Sequence, residues 1–303
     1  MYVVDMHCDT LSDVSESAGL INNYNMSKKH PMLQFFAHFS KADGRTAEER
    51  RAKAIRDLNV FLYECERLGL QRVGCGKDLF SATDYEKNAA LLSFEGGGGL
   101  FADSHELSTL YRGGLAVLSL AWNKNELSAS AYDEEDTGLT EEGIKMLSRC
   151  GELGITVDVS HLSDKAFYDV FAYSPLPHIA THSNFRSVCN VKRNLTDEMA
   201  KMIAARGGVI GLNLFPKFLR EGGDADLDDL LRHVDHGLEL VGDRCLGFGF
   251  DVDGTNGIYP KGISTDESIH DQVIDFLLSH YSAATVERIA GLNVIEFLQS
   301  NLP

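Results

Sequence analysis

His7 and Asp9, in the segment DMHCDT, are separated by one residue. That spacing puts two side chains on the same face of an extended strand, with Cys8 on the other. An imidazole and a carboxylate on one face can chelate a cation. Further along the chain come Glu95 in SFEGG, Asp158 and His161 in DVSH, His182 in THS and Asp251 in GFGFDVDG. Singly these are weak signals. His161 would serve equally as a cap for the helix that follows, and Asp253, two residues past Asp251, reads as a turn or supporting residue. As a set, His7, Asp9, Glu95, His161, His182 and Asp251 supply the nitrogen and oxygen donors that divalent metals take, zinc above all, with manganese and cobalt accepted by the same ligand types. Glu95 has a particular role open to it, because a carboxylate has two oxygens and can bridge two ions. In two-metal hydrolytic sites the ions lie about 3.5–4 Å apart, a span one carboxylate covers. One ion would be held by His7 and Asp9, the other by His161 and His182, with Glu95 shared. The run Gly96 to Gly99 would let backbone approach such a site. Asp251 is the better placed of the late aspartates to touch a metal and manage the proton of a water.

Residues so far apart in sequence need a fold that collects them. Short apolar runs at 2–8, 34–39, 89–94, 115–121, 155–159, 178–181, 208–214 and 245–250 alternate with amphipathic stretches at 47–68, 140–151, 163–172, 196–205, 227–241 and 266–300. Several runs are apolar nearly throughout, as parallel strands buried on both faces are. Thr140 and Ser163 are N-caps followed by acids in the first turn. Gly207-Gly208 ends the helix before the seventh run. The repeating strand–helix unit predicts an α/β fold, a (β/α)8 TIM-type barrel, with residues 1–303 as a single domain. An open doubly wound sheet would bring a glycine-rich fingerprint after the first strand; here that strand ends in His-Cys-Asp. In such barrels the chemistry sits at the carboxyl ends of the strands. The six donors fall there: His7 and Asp9 after the first strand, Glu95 the third, His161 the fifth, His182 the sixth and Asp251 the eighth. His38 and Asn213, ending the second and seventh strands, are pocket candidates, and His38 suits a core role better.

The segments DMHCDT, SFEGG, DVSHLSD, THSNFRSVCNVKRN and GFGFDVDG, in that order, give the chain a resemblance to the renal-type (membrane) dipeptidases, zinc metallopeptidases of the amidohydrolase-like barrels. The resemblance spans residue 5 to about residue 255. It implies two zinc ions, with His7, Asp9, Glu95 and Asp251 around the first and Glu95, His161 and His182 around the second. It further implies that a water or hydroxide between the metals attacks the peptide carbonyl. Asp251, with Glu95 the expected catalytic pair, takes the proton and passes it to the leaving amine. Arg193 in VKRN matches the arginine that binds the substrate's terminal carboxylate, a task for which a guanidinium fork is suited. The chain departs from kidney-type members at the end of the fourth strand. There it reads LSLAWNKNE, with Trp122 in place of a histidine. Trp122 can wall a pocket but is no acid or base at neutral pH.

The bulk properties narrow the partners. With 303 residues, 44% of them hydrophobic, the chain can build a large core, and its formal charge of −17 disfavours nucleic acid and anionic membranes. The six cysteines form no CxxC pair, and neither a signal-peptide pattern nor a membrane-length apolar run occurs, so a cytoplasmic protein with reduced thiols is expected. The expected partners are small dipeptides, and a homodimer is compatible with the sequence. Two other readings compete: an amide hydrolase acting on N-acyl amino acids or lactams, and a non-catalytic metal-binding barrel.

Overall fold

A computed structural model describes residues 1–12, 26–39 and 45–303. Its strands are β1 (Val3–Cys8), β2 (Met32–Phe39), β3 (Gln71–Arg72), β4 (Ala89–Glu95), β5 (Leu115–Ser119), β6 (Thr156–Asp158), β7 (Ile210–Leu212) and β8 (Leu246–Phe248). All pairings between them are parallel. They are ordered β6-β5-β4-β2-β1-β8-β7, with β3 attached to the start of β4 outside this path. Between β6 and β7 stand Ile179 and Ala180, which bridge in parallel to Asp158 and Ile210. Val159 N–H donates to the Ile179 carbonyl at 2.8 Å, and Gly211 N–H to the Ala180 carbonyl at 2.7 Å. The ring therefore closes: seven strands plus this bridged pair make the expected eight staves. The sixth stave is held mainly by its neighbours, and at Gly211 a Cβ would overlap the Thr181 carbonyl. Only glycine lets β7 come that close.

Val4, Met6, Leu33, Phe35, Leu91, Val117, Ile179 and Val209 form one buried apolar cluster. They come from β1, β2, β4, β5, the sixth stave and the approach to β7, and the space they share is the barrel lumen, filled by side chains. A second, larger cluster joins strand residues such as Val3, Phe94 and Phe248 to helix residues such as Leu58, Met146 and Val234. The helices form where their ends are capped. Ala47–Leu68 begins in a reciprocal capping box between Thr46 and Glu49 and ends at Gly69 with φ 66°. Thr140 and Ser163 cap the helices Glu141–Leu153 and Asp164–Tyr173, accepting from Gly143 N and Ala166 N. The early part of the barrel also carries the helices Gly76–Asp84 and His105–Arg112. Among the described residues no helix is long and apolar enough to cross a membrane. All six cysteines are free thiols.

Candidate metal centre

Strict alternation along β1 would turn His7 away from the lumen that Met6 faces. The β1–β2 register shifts between Asp5 and Cys8, and a bulge of this kind re-aims a side chain. His7 thereby joins the barrel mouth. Asp9 N–H donates to the Val252 carbonyl at 2.9 Å, which draws the end of β1 to the segment after β8 and sets Asp9 beside Asp251. Asp251 and His161 both have left-handed backbones, with φ of 61° and 67°. Such geometry is uncommon for residues with a side chain and clusters at functional sites.

The six expected donors converge. His7 Nε2 lies 3.8 Å from Asp9 Oδ1, 3.9 Å from Asp251 Oδ1 and 3.7 Å from Glu95 Oε2. The other oxygen of Glu95, Oε1, lies 2.7 Å from His161 Nε2 and 3.2 Å from His182 Nε2. The two histidine nitrogens are themselves 2.8 Å apart. His7 stacks on His182 with ring centroids 3.7 Å apart. The donor atoms of His7, Glu95 and His182, and those of His7, Asp9 and Asp251, lie within 4.8 Å of one another.

The electrostatics suit a bound cation. Burial, reinforced by Arg193, pushes His7 down to about 3. Burial also holds His161 and His182 well below the ordinary imidazole range. These are neutral rings with a lone pair to give, the ligand form of histidine. Burial and the neighbouring Asp9 and Asp251 drive Glu95 well above the carboxylate range, and burial raises Asp251. A bound divalent ion would reverse that carboxylate logic. His7 Nε2 is buried without a hydrogen-bond partner. A Cβ at Gly254 would overlap the carboxylates of Asp251 and Asp9, so glycine there leaves room beside the donors. The residues fit a metal.

Around the donors the remaining candidates divide. Arg193 is buried, whereas Lys192 beside it is exposed. The Arg193 guanidinium donates to Ser183 Oγ at 2.7 Å and to the His182 carbonyl at 2.9 Å, and it lies 5.6 Å from the centre of the Phe218 ring. Asn213 is fully buried and donates to Asp251 Oδ2 at 3.0 Å, so it orients that carboxylate. Trp122 packs between Phe39 and Tyr132, at 5.0 and 5.5 Å between ring centres, and 6.1 Å from His161. Tyr132, from the loop after β5, also stands 5.8 Å from His161. No spacing in the sequence marks it. His38 belongs to the frame: its Nδ1 is 2.6 Å from Asp57 Oδ2, which Lys53 also grips at 2.7 Å. Asp253 accepts from Thr10 Oγ1 at 2.7 Å. Asp158 takes Thr181 Oγ1, not a place among the donors.

A closed α/β barrel with imidazoles and carboxylates gathered at its carboxyl mouth defines the class of amidohydrolase-like barrels. The sequence profile of the membrane dipeptidase family (Peptidase family M19) matches residues 1–301, and the chain belongs to that family. An uncharacterised protein of the pqqA 5' region of Klebsiella pneumoniae is 33% identical over 177 residues, 55% of this chain and 65% of that protein. The matched stretch covers between 56% and 65% of the length of the curated relatives compared. Two solved structures share the fold over the full chain. The dipeptidase AC superposes with a TM-score of 0.87 at 24% identity, covering 100% of this chain and 99% of that one. A metallopeptidase of Rhodobacter sphaeroides, solved with a phosphinate mimic of the dipeptide L-Ala-D-Ala, superposes with a TM-score of 0.88 at 23% identity and the same coverage.

Proposed function

We propose that the chain hydrolyses small dipeptides at a centre of two divalent ions, zinc by donor chemistry. The observation that carries this reading is the split of Glu95. Its Oε2 faces His7, beside Asp9 and Asp251, while its Oε1 faces His161 and His182. One carboxylate thus turns a separate oxygen to each of two donor groups. Ions held there would polarise the scissile carbonyl and make water nucleophilic near neutral pH. Asp251, steadied by Asn213, is placed to take the proton of the attacking water and deliver it to the leaving amine. Arg193, anchored by Ser183 and the His182 carbonyl, presents a fixed cation to the substrate's terminal carboxylate. Trp122 and Tyr132 wall the pocket beside His161. The dipeptide mimic bound by the Rhodobacter sphaeroides protein supports this substrate class, with a D-configured C-terminal residue included.

Arg193→Met tests the substrate assignment. It keeps much of the side-chain volume and removes the charge and the fork. Hydrogen bonds to charged groups are worth roughly 1.5–3 kcal/mol. The variant should therefore lose about ten- to a hundred-fold in kcat/KM on a free dipeptide. C-terminally amidated dipeptides should already be poor substrates for the unaltered enzyme and should lose little more. Exposed Lys192 is the control, and Lys192→Met should leave kcat/KM near its original value. Equal losses on free and amidated substrates would remove Arg193 as the carboxylate anchor. Preference for N-acyl amino acids or lactams in the same assay would redirect the reading within amide hydrolysis.

A further inference from the structure

His182 is bound at both ends of its ring, and the far end carries information about the near one. Its Nδ1 lies 2.7 Å from Thr181 Oγ1. Thr181 Oγ1 in turn donates to Asp158 Oδ2 at 2.6 Å. A hydroxyl has one proton to give. Since Thr181 gives it to Asp158, the contact with His182 needs a proton from Nδ1. The other nitrogen, Nε2, then keeps its lone pair, and Nε2 is the atom that faces Glu95 and His161. Asp158 is pinned for this task. Its Oδ1 accepts the backbone N–H groups of Ser160 and Thr181, each at 2.9 Å, tying β6 to the stave beside it. All three residues are buried. His161 differs: its Nδ1 is buried with no hydrogen-bond partner.

We propose that Asp158 and Thr181 form a relay that fixes His182 in the Nδ1–H tautomer, leaving Nε2 as a ready metal ligand. They are positioning residues and touch neither metal nor substrate. The inference rests on the metal-site reading above. Supporting partners of a ligand histidine set its tautomer and orientation, and their loss typically costs about 10–100-fold in metal affinity.

Asp158→Asn makes a directional test. Two backbone N–H groups point at the Oδ1 position, so the amide oxygen must stay there and the NH2 must occupy the Oδ2 position. The NH2 then donates to Thr181 Oγ1, whose own proton turns to His182 Nδ1. That forces the proton of His182 onto Nε2, the wrong nitrogen for a ligand. Thr181→Val removes the relay without reversing it, and Thr181→Ser restores it. The measurements are zinc affinity of metal-free protein, by competition with a chromogenic chelator, and the His182 tautomer, from nitrogen-15 shifts of the metal-free protein. Asp158→Asn should bind one of two ions about 10–100-fold more weakly and show Nε2–H at His182. Thr181→Val should fall in the same direction, and Thr181→Ser should stay near the unaltered affinity. Wild-type affinity in Asp158→Asn, or an Nε2–H tautomer in the unaltered chain, overturns the relay. Uptake of zinc by the unaltered chain separates that result from a failure of the metal reading, which would show as no uptake at all.

Discussion

Asp251→Asn is expected to lower kcat on a free dipeptide by about 10²–10⁴-fold, the range for loss of a general acid–base group, or by more if metal binding also weakens. The change is nearly isosteric. Asn213 donates to Asp251 Oδ2 at 3.0 Å and its own amide is fixed by the Phe215 N–H, so the introduced asparagine keeps its oxygen on that side and turns its NH2 to His7, where Asp251 Oδ1 now lies at 3.9 Å. It cannot take a proton from the attacking water at neutral pH. That arrangement keeps the hydrogen bond from Asn213, so the fold should survive. Steady-state kinetics with metal content measured in parallel separates the two contributions. If kcat falls while the ions stay bound, Asp251 handles the proton. Near-normal kcat would assign that task elsewhere.

Glu95→Gln should be at least as damaging, for a different reason. A carboxylate offers a donor oxygen to both sides; an amide offers one oxygen and one NH2 that has no lone pair for a cation. Glu95 faces His161 and His182 with Oε1 and His7 with Oε2, so either orientation of glutamine turns a hydrogen donor toward one group. Both ions should bind more weakly, one severely. The affinity loss should exceed the about 10–100-fold typical of a supporting residue. Equilibrium zinc binding checks this. Two ions bound at unaltered affinity by Glu95→Gln would show that the carboxylate does not join the sites.

How far the sequence reveals this arrangement depends on the range of the interactions involved. The helices Ala47–Leu68 and Leu227–Val241 were legible to the residue because their caps and apolar periodicity are local. Gly76–Asp84 was not, since Cys75 at its start makes no side-chain cap bond. The sixth stave reads as an apolar run but is held in the ring by bridges rather than by a regular ladder. The donors were legible because a barrel places equivalent strand ends around one mouth, so imidazoles and carboxylates recurring at those ends signal one site. What supports them was not. The bulge that aims His7 depends on pairing with β2. The left-handed turns at His161 and Asp251 fall on residue types that adopt them more readily than most, but the local sequence does not mark which histidine or aspartate does so. The partners of Asn213 and Asp158 lie 38 and 23 residues away.

The proposed hydrolytic centre is built from two ions that share Glu95. The most direct measurement is a zinc titration of metal-free protein, reading hydrolysis of one free dipeptide against the zinc bound per chain. Activity should be absent without metal, rise as zinc binds, and level off only when two ions are held per chain. A plateau with a single ion bound, or two ions bound with no hydrolysis of any L,L- or L,D-dipeptide, would contradict it.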